Sequence, residues 1–270
     1  MGKLAACPTK GTFQLTADSL QLAGRVAVIT GASRGIGRAV AERLSELGTH
    51  VAVNYVRDEA AANEVISLAR KNGVEAIAVQ ADVSTLSGAQ ALVAQTMAQF
   101  KRLDFLICNA GIWEGAPVEK MSEAMWDRTQ EINLKGTWTV CHEAIPHMKE
   151  RRFGRIVVVS STAGQRGEAF YSNYAASKGG QISFTKALST ELGPFGITVN
   201  AVAPGWVDTE LSGPALANAD SRQSIESAIP IGRVASADDI AWPIVFLCSD
   251  WARHITGEVL NINGGSVLCG

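Results

Sequence analysis

The sequence predicts an α/β fold, a doubly wound parallel sheet of about seven strands with helices on both faces. Three observations predict it. Strand-like and helix-like segments alternate along the chain, the strand segments are apolar at successive rather than alternate positions, and a glycine-rich turn joins the first strand to the first helix. Runs apolar on both faces belong in a sheet covered on both sides, and right-handed crossovers then wind the chain in both directions. The chain has 270 residues, and single α/β domains of about 250 residues are common.

Each element is justified in order. RVAVIT (25–30) is a short β-branched run, followed by GRAVAERLSELG, whose apolar residues recur at helical spacing and whose Gly48 suits a helix end. HVAVNY (50–55), VEAIAVQAD (74–82) and LDFLICNAG (103–111) repeat the strand signal, separated by the helical DEAAANEVISLARKNG and SGAQALVAQTMAQF. Long helices over about 122–150 and 174–193 flank GRIVVVSS (154–161), and GITVNAVAPG (196–205) and GEVLNING (257–264) complete the strands. Residues 206–230, rich in small, polar and proline residues, interrupt the alternation after the sixth strand. Such sheets bind ligands at the carboxyl ends of their strands, so this insertion is a candidate lid, with an ordinary surface loop as the alternative. No linker or repeat divides residues 23–270, which read as one domain. Residues 1–22 read as an N-terminal extension, either an appendage or a cleaved leader.

Composition narrows the function classes. The chain is 47% hydrophobic and 19% charged, its net charge is -2, and its Lys and Arg are scattered, which gives no electrostatic reason to expect nucleic acid. Cys7, Cys108, Cys141, Cys248 and Cys269 are odd in number and lack metal-type spacing, as expected of reduced thiols in a cytoplasmic protein. His50, His142, His147 and His254 form no ligand pattern, so no metal is expected. There is no signal-peptide core and no apolar run of about 18 residues, so no membrane is expected.

TGASRGIG (30–37) places Gly31, Gly35 and Gly37 between the first strand and first helix. Glycines there permit a tight turn and let backbone N–H groups and a helix N-terminus approach a pyrophosphate. A turn shaped only by packing would look the same.

The spacing T-G-x-x-x-G-x-G resembles that of the short-chain dehydrogenase/reductase family, and the resemblance runs in order over residues 23–265. It implies a Rossmann fold and a nicotinamide dinucleotide held by Gly31, Ser33, Arg34, Gly35, Ile36 and Gly37. Asp82 and Val83 match the pair that meets the adenine. CNAG (108–111) resembles the family's N-N-A-G, with Cys108 in place of the first Asn and with Asn109, Ala110 and Gly111 at the cofactor. PGWVDT (204–209) resembles P-G-x-x-x-T, implying contacts from Pro204, Gly205, Val207 and Thr209, the last to the nicotinamide carboxamide.

Choice between NADP and NAD falls at the end of the second strand, where an acid would hold the ribose of NAD and repel a phosphate. Asn54 and Tyr55 stand there instead. Arg34, with Arg57 as a second donor, offers a guanidinium to a phosphate, so NADP(H) is favoured, while Asp58 keeps NAD open.

YSNYAASK (171–178) holds two tyrosines, and only Tyr174 has a lysine, Lys178, four residues on. The resemblance makes Tyr174 the general acid/base. One turn of helix places Lys178 beside it, where an ammonium would draw the phenol below its ordinary pKa of about 10 and could also hold the nicotinamide ribose. Ser161 matches the family's catalytic serine, and Ser160 points to the other side of its strand. Asn133 completes the set, as holder of a proton-path water, as a helix kink, or as both. Gln165, Tyr171, Trp113, Trp206 and Leu211 are candidate substrate contacts by position.

The implied reaction is hydride transfer between NADP(H) and a ketone or secondary alcohol. The closest family branch contains 3-oxoacyl-acyl-carrier-protein reductases. Arg151 and Arg152 suit docking of a carrier protein, whereas Phe195 stands where that branch often has a basic residue. A stand-alone carbonyl reductase, an NAD-dependent alcohol, sugar or steroid dehydrogenase, and a non-catalytic dinucleotide-binding protein are the alternatives. The presence of Ser161, Tyr174 and Lys178 argues against the last. The resemblance also implies a homotetramer assembled through the two long helices.

Overall fold

The structure is a computed structural model and describes residues 20–268. Seven strands, β1 (Val26–Ile29), β2 (His50–Tyr55), β3 (Ala76–Gln80), β4 (Phe105–Cys108), β5 (Gly154–Val159), β6 (Ile197–Pro204) and β7 (Val259–Ile262), form one sheet in the order β3-β2-β1-β4-β5-β6-β7. Every pairing is parallel. The strands match the apolar segments of the sequence, shortened by a residue or more where the polar or glycine ends turn away from the ladder. β1, β4, β5 and β6 are buried at every position, as strands covered on both faces must be.

Helices α1 (Gly35–Glu46), α2 (Glu59–Lys71) and α10 (Ala237–Cys248) cover one face, where Val40, Leu44, Val65 and Ile244 pack on Ile29, Val53 and Val157. Helices α3 (Leu86–Phe100), α5 (Gly136–Arg151) and α7 (Ser172–Leu192) cover the other, where Leu92, Val140, Met148 and Leu188 pack on Val28, Leu106 and Val158. The sheet therefore separates two cores.

Strand order reverses at β1, since β1 lies between β2 and β4. The carboxyl ends of β1, β4, β5 and β6 stand side by side there, and that edge is where such a sheet leaves a crevice.

Two expectations need correction. The N-terminal boundary at residue 22 is too late, because Leu22 is fully buried in the first core and its carbonyl accepts a bond from Thr49 Oγ1. Leu20 packs against the same core. Secondly, the helix expected over 122–150 is α4 (Glu123–Thr129), a π-helical stretch (Gln130–Lys135) and α5. Residues 206–230, the candidate lid, carry two short helices, α8 (Gly213–Leu216) and α9 (Ala219–Ser227). They have a small core of their own, in which Leu216, Ile229 and Val234 meet Trp206 and Ile225. Cys108, Cys141 and Cys248 are free and buried, while Cys7 and Cys269 lie outside the described residues.

Candidate active site

The crevice at the carboxyl edge encloses about 880 Å³ of space open to solvent. Its walls come from the turn after β1, the ends of β4, β5 and β6, helix α7 and the segment before α8.

At the turn, Gly31 and Gly35 adopt φ of +61° and +54°, the left-handed region that disfavours side chains. A Cβ on Gly37 would stand 2.6 Å from Asn109 Nδ2 and 2.7 Å from the Gly31 carbonyl, so the turn is pressed onto the end of β4. Asn109 holds it there, donating from Nδ2 to the carbonyls of Thr30 (2.9 Å) and Gly31 (3.0 Å). Helix α1 begins with no side-chain cap and no acidic residue in its first turn, which leaves its N–H groups and positive end to an anion. This cradle fits a pyrophosphate: Gly31 and Gly37 let the turn close onto the end of β4, the start of α1 leaves its N–H groups uncapped, and Ser33, Arg34 and Ile36 belong to the same turn.

The end of β2 differs from expectation. Asn54 is buried and spends its amide on the fold, accepting from Gly31 N and donating to the Ala81 carbonyl at 2.9 Å. Tyr55 is buried in the first core. Neither presents a side chain to a ribose; Asn54 is the brace behind the glycine turn. Asp58 is taken as the N-cap of α2, accepting from Ala61 N at 2.9 Å. Arg34 and Arg57 are exposed and form no ion pair among the described residues. Asp82 is exposed, its carboxylate accepting from Ser84 Oγ at 2.7 Å, and Val83 is buried beneath it.

Ser161 begins helix α6 (Thr162–Arg166) immediately after β5, and its Oγ accepts from Ala163 N at 3.1 Å. Ser160 turns the other way and donates to the Lys178 carbonyl at 2.9 Å, pinning α7 to the sheet. Tyr174 and Lys178, one turn apart on α7, are buried and line the crevice. Lys178 Nζ donates to the Val159 carbonyl at 2.8 Å and lies 5.6 Å from the centre of the Tyr174 ring. Burial pushes the Tyr174 phenol up to about 12, against which its hydrogen bond with Ser161 works. Burial likewise pushes the Lys178 ammonium down to about 7. The expectation that Lys178 draws the phenol below its ordinary value is not met in the protein alone, because the same desolvation that raises the phenol weakens the cation beside it.

Asn133 sits in the π-helical stretch, fully buried. Its amide accepts from Ile112 N (2.8 Å) and donates to the Ile112 carbonyl (3.0 Å) and to Ser177 Oγ (3.0 Å). The main-chain carbonyl of Asn133 accepts from Gln181 Nε2 at 2.8 Å. The side chain expected to hold a water is therefore occupied, and the kink is the arrangement observed: the extra residue in the turn aims the amide at the loop after β4. A Cβ on Gly111 would lie 3.2 Å from Asn133 Oδ1 and 3.6 Å from Lys178 Nζ, so that loop passes close to both side chains. Cys108, in place of an expected Asn, sets its thiol 3.8 Å from that of Cys141 and packs α5 onto β4.

Of the candidate substrate contacts, Trp113, Trp206 and Leu211 line the crevice, as do Pro204, Gly205, Val207 and Thr209. Gln165 does not: its amide donates to Asn261 Oδ1 at 2.6 Å, towards β7. Tyr171 stands behind Trp113, the rings stacked at 4.6 Å between centroids. Ile112, Thr162, Arg166, Glu168 and Ser212 line the crevice without having been singled out from the sequence. No spacing marks them: Thr162 and Arg166 stand on the single turn of α6, too short to show a period, and the other three stand on loops.

Comparison with known proteins agrees with this geometry. A family model described as enoyl-(acyl carrier protein) reductase matches residues 31–266. The chain is 39% identical over 242 residues to a 3-oxoacyl-[acyl-carrier-protein] reductase of Staphylococcus aureus, covering 90% of this chain and 98% of that protein. Its counterpart in Aquifex aeolicus is 36% identical over 246 residues, covering 91% and 98%. A solved structure from Sinorhizobium meliloti, assigned to the short-chain alcohol dehydrogenases, superposes with a TM-score of 0.87 at 35% identity, covering 90% of this chain and 96% of that one. With a parallel sheet wound about a glycine-lined cradle, and with this identity over nine-tenths of its length, the chain belongs to the short-chain dehydrogenase/reductase family of nicotinamide-dinucleotide-dependent oxidoreductases.

Proposed function

We propose that the protein is an NADPH-dependent reductase of ketones, close in chemistry to its 3-oxoacyl-thioester-reducing relatives. One observation carries this reading: Ser161, Tyr174 and Lys178 meet in one crevice that Ile36 of the glycine turn and Asn109, which holds that turn, also line. A bound nicotinamide dinucleotide supplies the hydride. Ser161 and Tyr174 hydroxyls hold the substrate oxygen, and Tyr174 gives it a proton as negative charge develops there. With its pKa at about 12, the phenol is protonated at neutral pH and ready to donate. Lys178 stabilises the phenolate that results and holds a ribose hydroxyl, while Asn133 fixes the loop beside it.

NADP(H) is favoured over NAD(H) because no acid stands at the end of β2 itself, Asp58 beyond it caps a helix, and Arg34 is exposed beside the cradle. Among substrates, acyl-carrier-protein thioesters and simple ketones remain the two candidates. Arg151 and Arg152 are exposed for docking, although Arg152 donates to the Pro194 carbonyl at 2.9 Å and Lys149 lies over the Phe195 ring at 4.6 Å. No helix among the described residues is long and apolar enough to cross a membrane, which supports a cytoplasmic enzyme. Exposed Trp126 on α4 and Trp138 on α5 support assembly, proposed as a homotetramer.

The test follows consumption of NADPH or NADH by purified protein with acetoacetyl thioesters and with aromatic and aliphatic ketones. Turnover with NADPH is expected; tight NADPH binding with no turnover on any carbonyl would favour the non-catalytic alternative.

A further inference from the structure

We propose that Trp113 makes this site prefer ketones that carry a planar aromatic substituent, and that Glu168 acts through Trp113 as a positioning residue. The inference rests on the reductase reading and names its substrate class.

Trp113 lines the same crevice as Tyr174 and Ser161. One side of the indole is backed by Tyr171, with ring centroids 4.6 Å apart and planes 11° from parallel. Trp206, also lining the crevice, meets it at 5.7 Å and 89°. The two indoles meet each other edge to face and together wall the crevice that a substituent on the carbonyl held by Ser161 and Tyr174 enters, so the wall offers aromatic surface on which a ring can stack or which it can meet with its edge. Those are the two geometries in which aromatic rings attract beyond their contact area.

The wall is fixed before any ligand arrives. Backbone on either side of Trp113 is tied down, by Ile112 N donating to Asn133 Oδ1 at 2.8 Å and by Asn173 Nδ2 donating to the Glu114 carbonyl at 3.1 Å. Gly115 is pressed so close to residues 170 and 171 that a Cβ there would stand 2.3 Å from the Phe170 carbonyl and 2.4 Å from the Tyr171 ring. Glu168 lines the crevice with Trp113, and the indole N–H of Trp113 favours its charged carboxylate. Glu168 is half-buried, burial raises its pKa, and it forms no ion pair among the described residues. The charge of Arg166 also moderates that rise. The indole thus favours the charged carboxylate more than Arg166 does, and the role proposed for Glu168 is to hold the rotation of that ring. A rigid aromatic surface favours a flat ligand that loses little freedom on binding over a flexible alkyl chain of the same size.

The experiment compares kcat/KM for phenyl methyl ketone and a straight-chain methyl ketone of equal carbon number, with acetoacetyl thioester alongside. Enzymes are the wild type, Trp113→Ala, Trp113→Phe, Glu168→Ala and Glu168→Gln, each with NADPH. The expected preference for the aryl ketone is about two- to twelvefold, the factor that one aromatic contact supplies. Trp113→Ala should bring the ratio close to one, and Trp113→Phe should keep part of it. Glu168→Ala should lower the ratio through KM for the aryl ketone while kcat holds, and Glu168→Gln should restore it, since a carboxamide oxygen still accepts the indole N–H. A wild-type ratio at or below one, or a ratio unchanged in Trp113→Ala, overturns the proposal, as does equal loss in Glu168→Ala and Glu168→Gln. If the wild type reduces no carbonyl, the reductase reading fails separately. Calorimetric binding of the two ketones to the NADPH complex then decides the wall on the same ratios.

Discussion

Replacing Lys178 with Met keeps the aliphatic stem and removes the amine, and the consequence for stability follows from the site. Burial takes the Lys178 ammonium from 10.5 to about 7. In the unfolded chain the amine holds its proton up to about 10.5, whereas the native protein has released it by then from about 7 upwards. Between those values the unfolded state binds more protons, so wild-type stability climbs with pH, by about 5 kcal/mol over the whole window at about 1.4 kcal/mol per pH unit. Below about pH 7 both states are charged and the gap is constant. The Met variant lacks that climb, and loses about 1 kcal/mol with the bond to the Val159 carbonyl. It should therefore be more stable than the wild type by about 4 kcal/mol near neutral pH, with the advantage gone by about pH 10, and it should be inactive. Urea unfolding of both proteins, free of cofactor, at a series of pH values measures the difference directly. Tyr174, raised to about 12, adds stability that is lost as pH rises from 10 to 12, but it is present in both proteins. Parallel curves for the two proteins from pH 7 to 10 would refute the reasoning, because they would mean that the ammonium is not desolvated.

Other outcomes follow from the same geometry. Arg34→Ala should weaken NADPH binding about 10- to 100-fold, the worth of one hydrogen-bonded charge, and leave NADH nearly unchanged, as fluorescence titration of both nucleotides would show. Gly37→Ala sets a methyl 2.6 Å from Asn109 Nδ2; it should cost about 1–3 kcal/mol in urea unfolding and weaken both nucleotides alike. Asp104 is fully buried, bonded to Arg102 twice at 2.7 Å and to Arg25 at 3.2 Å. Asp104→Ala leaves two guanidinium groups without their partner and should cost about 3–5 kcal/mol, read from the urea midpoint.

Much of this was legible in the sequence because periodicity and spacing carry it. Strands apolar at successive positions placed the sheet, and the glycine spacing placed the cradle. The four-residue step from Tyr174 to Lys178 placed both on one turn of α7. What escaped is set by where side chains turn once the chain is packed. Asn54 and Tyr55 end the expected strand, yet both point into the protein, where one braces the glycine turn and the other fills the core. Gln165 is one turn from Ser161 but faces Asn261. Asn133 reads as a weak helix former, and only the structure shows a π-helical stretch that carries its amide to Ile112. Glu168 had no signal at all, since a lone acid in a loop gains meaning only from the indole it meets. Nor does spacing report desolvation, which is why the shifts of Tyr174 and Lys178 run opposite to what a lone ion pair would give.

The central claim is that Tyr174 delivers the proton to a ketone oxygen. Its most direct test is the single-turnover rate of NADPH oxidation by wild type and Tyr174→Phe with the best ketone found, alongside NADPH affinity for each. The account predicts a fall of about 10²- to 10⁴-fold in rate with affinity nearly unchanged, because the ring that packs in the crevice remains and only the proton donor is gone. Turnover of the Phe variant within a few-fold of the wild type would contradict it.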